Sequence, residues 1–279
     1  MTNELRERMT EFGKWLLVKK GIGYVTIAGY QGSASRLIRA LKTYEPTHDQ
    51  VINYIVKMHE KEYSYAHIVN TSLALEWYTE FIGNRIQLGR PKKPKTLIKN
   101  TLNEAEITLM INAAKNIREK SIISLLAFSG IRNKELCNLR VNDVNLGDNM
   151  VRVTQGKGMK DRLINISGDC SRILIDYVNQ FQKKGEDWMF TTLRADHKYN
   201  PSDLRKLVHV LARRAKIGKR VYPHLLRHSL ATNLLKRGAN LYMIKEQLGH
   251  AYLETTATYL RTFPLNIRNQ YQMFVPSYL

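Results

Sequence analysis

The sequence predicts a mainly α-helical protein with one small β-sheet, divided into two domains. Three observations predict it. Apolar residues recur at spacings of three and four along most of the 279 residues, the period of an amphipathic helix. Only two short neighbouring segments alternate at period two, as half-buried strands do. A proline- and lysine-rich stretch, GRPKKPKTLIK at 89–99, breaks the pattern between two helical regions.

Residues 1–88 read as one helical domain. Leu5, Met9, Phe12, Trp15 and Leu16 form a first apolar stripe, and Ile27, Tyr30, Ala34, Leu37, Ile38 and Leu41 form a second. Val51, Ile52, Ile55 and Met58 make a third. A fourth helix over about 64–83 turns Ile68, Leu75, Tyr78 and Ile82 inward. Residues 89–101 then read as an exposed basic linker, because proline disfavours helix and clustered cations repel one another. Its Lys92, Lys93 and Lys95 serve either as a plain spacer or as contacts to a polyanion.

Residues 102–279 form the second domain. Asn103 and Glu106 make a capping box that opens its first helix. IISLLAFSG, ending at Gly130, is long and apolar enough for a buried helix. MVRVT (150–154) and DRLINI (161–166) alternate around the glycine-bearing turn QGKGMK, so a β-hairpin is expected. Helical patterns resume at about 170–184, 202–215, 224–237, 241–248 and 253–260, with Gly238 and Gly249 as stops.

The charge narrows the partners. Formal net charge is +20, with 16 basic and 9 acidic residues up to position 100 and 28 and 15 after it. A positive field over both domains suits nucleic acid. Two cysteines, Cys137 and Cys170, are too few for a disulfide framework and form no CxxC pair, which fits a reducing cytoplasm. The N-terminal MTNELRERMTEFGKW lacks a secretory core, and no apolar run approaches the roughly 18 residues of a membrane span. The expectation is a cytoplasmic protein with no membrane partner.

Three patterns in the second domain can carry chemistry. They are SGIRNKEL around Arg132, the hairpin tip GKGMKDR, and PHLLRHSLATNLL followed by LGHAYLETTATY. Their order, and the nine residues from His250 to Tyr259, closely resemble the tyrosine recombinase (phage integrase) family, especially its compact Xer-like members. The resemblance implies a helical core-binding (SAM-like) domain followed by a mixed α/β catalytic domain. It implies that Arg132 and Arg227 bind the scissile phosphate, that His224 and His250 accompany them, and that Lys157 is the hairpin lysine. Tyr259 becomes the nucleophile, and Glu135 supports Arg132 or the histidines without touching substrate. Lys160 and Arg162 join the linker lysines as candidate DNA contacts. The partner implied is double-stranded DNA with inverted-repeat half-sites, bound by a homo-oligomer that is tetrameric in the synapse. No cofactor or metal is implied.

The chemistry needs such a set. Attack on a phosphodiester piles charge onto its nonbridging oxygens, and guanidiniums clamp those oxygens while staying charged at any working pH. A tyrosine phenol, with an ordinary pKa of about 10, must lose its proton during attack. The departing 5′ oxygen must gain one, which suits a lysine on a hairpin tip. Spacing adds that His224 and Arg227, three apart, share a helix face, as His224 and His228 can.

Taken singly, each residue has a plainer reading. Arg132 alone is an ordinary solvated or ion-paired arginine, Tyr259 is one of 15 tyrosines, and Lys157 and Lys160 could simply touch phosphates. His224 and His228 could hold zinc, but no third ligand stands at a helpful spacing. An inactive DNA-binding module predicts a broken set, whereas every expected position is filled. A type IB topoisomerase shares the tyrosine chemistry but not the compact Xer-like spacing, and a metal-dependent nuclease needs clustered carboxylates. Two roles remain for a recombinase: resolving circular DNA dimers, or moving an element in and out of a genome. The absence of a basic domain before the first helix favours the former. Residues 262–279, with Phe263, Ile267, Tyr271, Phe274 and Val275, are expected to dock on a neighbouring catalytic domain or fold back on their own.

Overall fold

A computed structural model describes residues 2–92, 101–154, 161–181, 187–192 and 197–249. The chain divides into two compact units, Met1–Leu97 and Ile98–Leu279.

The first unit is built from α1 (Thr2–Lys20), α2 (Tyr24–Leu41), α3 (His48–Glu60) and α4 (Tyr65–Phe81). The i, i+3, i+4 stripe of α1 buries Leu5, Met9, Phe12 and Leu16 against Ile27, Ala34 and Ile38 of α2 and Tyr78 of α4. Phe12 meets the Tyr78 ring edge-on at 5.4 Å, and the Tyr78 hydroxyl donates to the Tyr44 carbonyl at 2.8 Å, so its polar end is satisfied. A second cluster joins Leu37, Val51, Leu75, Ile86 and Leu88. Thr47 and Gln50 form a capping box that starts α3. Ile52, expected inward, is 37% exposed, because Val51, Ile55 and Met58 already fill the buried stripe and Ile52 lies about 100° around the helix from Val51.

After α4 the chain is pinned back onto its own unit. The Glu76 carboxylate accepts the Leu88 N–H at 2.7 Å and both terminal nitrogens of Arg90, at 3.1 and 2.6 Å. The start of the expected linker is therefore held to α4, while Lys92 is exposed. Lys93 and Lys95 lie outside the described residues.

The second unit contains α5 (Glu104–Asn112), α6 (Ile117–Ser129), α7 (Asn133–Cys137), a 3-10 turn (Val141–Asp143), β1 (Val144–Asn145), β2 (Met150–Val153), β3 (Arg162–Asn165), α8 (Gly168–Phe181), α9 (Pro201–Arg214), α10 (Pro223–Lys236) and α11 (Leu241–Leu248). The strands form an antiparallel sheet in the order β1-β2-β3, with Val151 opposite Ile164 and Val153 opposite Arg162. Asn103 and Glu106 form the expected capping box, and α9 and α10 each open on a proline, where no backbone N–H is needed. The hairpin tip at 155–160 and the helix expected at 253–260 fall outside the described residues.

From Ser121 onward α6 is buried on nearly every side, with Ile122, Ile123, Leu125 and Leu126 at most 1% exposed, and such a helix sits at the centre of a core. α8 and α10 pack on it. Two of its buried serines bond to carbonyls, Ser129 to Leu125 at 2.5 Å and Ser121 to Ile173 of α8 at 3.2 Å. The sheet adds Val151, Val153 and Ile164 to the same core. No helix among the described residues is long and apolar enough to cross a membrane.

One side-chain contact ties the start of this unit to α10. Ser229 Oγ accepts the buried Leu102 N–H at 2.8 Å and donates to the Leu225 carbonyl at 2.8 Å. Ser229→Ala orphans that N–H and is expected to cost about 1–3 kcal/mol. A lower urea midpoint with an unchanged slope checks it.

Candidate active site

The site begins where α6 ends. Gly130 takes the left-handed conformation, φ 66°, as the C-cap, and a Cβ there would come within 2.7 Å of the Leu248 side chain and 3.0 Å of Leu230. Glycine is needed for both reasons. The chain then enters α7, with Arg132 as its N-cap and Glu135 at the third helical position. The Glu135 carboxylate accepts the Arg132 backbone N–H at 2.9 Å and its guanidinium at 2.7 Å. A second Arg132 nitrogen donates to the Gly249 carbonyl at 2.8 Å.

Arg227 reaches the same place from α10. The residue is 2% exposed, and its guanidinium donates to the Gly130 carbonyl at 2.6 Å and to the Leu248 carbonyl. Gly130 and Leu248–Gly249 terminate α6 and α11. Helix C-termini present unpaired carbonyls and a partial negative charge, so two cations are seated on the negative ends of two helices. A buried arginine is tolerated there because its donors meet carbonyls instead of hydrocarbon.

The third arginine is Arg162, at the start of β3. Its two terminal nitrogens donate to both oxygens of Glu135, at 3.0 and 2.7 Å. Burial alone would push the Glu135 carboxyl up. The hydrogen bonds and charge of Arg162, then those of Arg132, outweigh burial and bring its pKa from 4.5 down to about 2. Arg162, grouped with the DNA contacts on sequence grounds, thus has its guanidinium turned onto Glu135 and its side chain only 14% exposed.

His224 and His228, one turn apart on α10, stack edge-to-face with ring centroids 4.3 Å apart. His224 is exposed while Arg227 is buried. Lys157, Lys160, His250 and Tyr259 lie outside the described residues. Among the described residues no cluster of three His, Cys, Asp or Glu could hold a metal ion.

One residue of the frame escaped the sequence reading. Gln247 accepts the Asn165 backbone N–H at 3.0 Å and donates to the Asn165 and Ser129 carbonyls at 2.8 and 3.1 Å. It fastens α11 to β3 and to the last turn of α6. A buried amide on the apolar side of α11, between Ile244 and Leu248, was the only available signal.

The Glu135 pKa gives a pH prediction. A carboxyl depressed from 4.5 to about 2 contributes roughly 3 kcal/mol that is present above pH 4.5 and lost as pH falls through 2. Glu135→Gln should lose this at pH 7 and converge on the parent at low pH, as measured by urea unfolding over a pH series. A constant difference between pH 7 and pH 2 contradicts it.

Comparison with known proteins gives the architecture a lineage. Residues 100–264 match the model of the phage integrase family. The tyrosine recombinase XerA of Pyrococcus horikoshii is 36% identical over 233 residues, covering 81% of this chain and 79% of its own length. A crystal structure of XerA recombinase superposes with a TM-score of 0.57 at 27% identity, covering 98% of this chain and all of that one. The recombinase XerH, bound to a palindromic difH substrate in a post-cleavage complex, shares the fold at 18% identity, with a TM-score of 0.70 over 96% of this chain and 84% of its own. On these matches the chain belongs to the phage integrase family, the tyrosine recombinases, enzymes that break and rejoin DNA strands.

Proposed function

We propose that this protein is a site-specific recombinase that cleaves DNA through a 3′-phosphotyrosyl intermediate on Tyr259. The seating of Arg132 and Arg227 on the ends of α6 and α11 carries this reading. It fixes two permanent cations on the carbonyls of consecutive residues, Leu248 and Gly249. In the reaction, the Tyr259 oxygen attacks phosphorus and the bond to the 5′ oxygen breaks. The phenolic proton passes to His224, His250 or water, and Lys157 protonates the departing 5′ oxygen. Arg132 and Arg227 hold the nonbridging oxygens as they gain charge, which accelerates the step because the contact strengthens in the transition state. The phosphotyrosine retains the bond energy, and the 5′ hydroxyl of another strand reverses the step to reseal the DNA.

The protein binds a short duplex, with Lys92, Lys93, Lys95 and Lys160 contacting its backbone. Two protomers bind inverted half-sites, and two such pairs form the synapse. The palindromic substrate of XerH supports half-sites of that symmetry. The many Xer-named relatives support resolution of chromosome or plasmid dimers as the biological role. Residues 262–279 dock on the catalytic unit of a neighbouring copy, for which a cleft of about 530 Å³, lined by Ile107, Ile111, Phe128, Ile166, Leu230 and Leu234, offers an apolar floor.

Suicide duplexes carrying candidate sites, run on denaturing gels, test the chemistry. Tyr259→Phe should bind normally and form no covalent adduct. Arg227→Ala should slow adduct formation by about a hundredfold to a thousandfold, as loss of an oxyanion donor does. Binding should weaken steeply with salt, and a covalent adduct from Tyr259→Phe sinks the assignment. Deletion of residues 265–279 should abolish synaptic assembly while leaving half-site binding intact. Unimpaired assembly rejects docking in trans.

A further inference from the structure

The geometry points to Arg162 as a positioning residue for the cleavage step: through Glu135 it fixes the phosphate-binding guanidinium of Arg132 and ties it to the strand that leaves the hairpin. This inference rests on the recombinase reading above. Arg162 sits 30 residues from Arg132 in sequence, yet the two share one carboxylate. Arg162 occupies both Glu135 oxygens, at 3.0 and 2.7 Å, and Arg132 donates to one of them at 2.7 Å. A carboxylate gripped bidentately from one side has a fixed plane. The lone pair it offers Arg132 therefore has a fixed direction.

Two further observations separate this role from a direct DNA contact. Both terminal nitrogens of Arg162 are spent on Glu135, and its Nε is buried without a hydrogen-bond partner among the described residues, a placement that costs free energy and aims its donors at the carboxylate. Gly249 also lies directly against it, since a Cβ at that position would collide with Arg162 Cδ and Nε. The same Gly249 supplies the carbonyl that receives Arg132. Arg162 thus packs on the peptide that seats Arg132 and bonds the carboxylate that aims it. Both supports of Arg132 pass through one side chain.

The test compares the parent, Arg162→Met, Arg162→Lys, Glu135→Gln and the Arg162→Met/Glu135→Gln double. The readouts are single-turnover adduct formation at saturating suicide duplex and affinity across a salt series. Arg162→Met should slow adduct formation by about tenfold to a hundredfold, the scale of a misaligned reacting group, with affinity and salt slope unchanged. The double should be no slower than Glu135→Gln alone, because both changes break one contact, and Arg162→Lys should fall between parent and Met. A salt slope reduced by about one with the saturated rate intact marks a phosphate contact and overturns the inference. So do rate losses that multiply in the double. If Arg162→Met fails to fold by circular dichroism, Arg162→Lys decides, and a parental rate from it overturns the inference. A parent that forms no adduct on any candidate duplex defeats the recombinase reading itself, before any variant is compared.

Discussion

The structure of the catalytic unit depends on seating arginines against helix ends. Arg227 is almost fully buried, and a buried cation without partners is one of the costliest features a fold can carry. Here the partners are the Gly130 and Leu248 carbonyls, which their helices leave unpaired. The carbonyls need donors and the guanidinium needs acceptors. Each solves the other's problem when the ends of α6 and α11 meet at Arg227 of α10.

The seat constrains its surroundings. Gly130 must lack a side chain because Leu248 occupies that space, and Leu248 is itself buried with Ala231, Leu235 and Ile244. Gln247 then fixes the orientation of α11 by bonding both β3 and the last turn of α6. The core helix, the sheet and the site are mechanically one object. Packing that is dense and in a single arrangement transmits position well, which chemistry needs when reacting groups must be aligned to a fraction of an ångström.

How much of this the sequence showed depends on the range of the interaction. Helices α1 to α4 announced themselves because each buries one stripe of apolar residues, and the Asn103–Glu106 box marked the start of α5 because capping is local. β1, with two residues, and α7, with five, are too short for any period to register. In the site, Arg132 and Glu135 are three apart, and their contact follows from helical spacing. The Glu135–Arg162 bond spans 27 residues and Gln247–Asn165 spans 82, distances over which no local pattern speaks. Arg162 therefore read as one more surface cation in a basic hairpin. Carbonyl seats are invisible in sequence for a different reason: every residue carries a carbonyl, and only the fold decides which ones are left unpaired.

The choice of partners also sets the charge available for catalysis. Had carboxylates seated both Arg132 and Arg227, their positive charge would have been cancelled by fixed neighbours. Arg227 instead meets neutral carbonyls, and Arg132 and Arg162 share the single carboxylate of Glu135. Glu135 is shared between two of the three guanidiniums, so the frame keeps an excess of positive charge. In the proposed reaction a phosphodiester enters with one negative charge and approaches two as the tyrosine oxygen bonds to phosphorus. A frame with excess positive charge matches the transition state better than the ground state, which is the condition for lowering the barrier instead of merely tightening binding. Because guanidinium stays protonated throughout the working pH range, that match does not titrate away. In the proposed reaction, the pH dependence falls to the histidine, lysine and tyrosine groups proposed to move its protons.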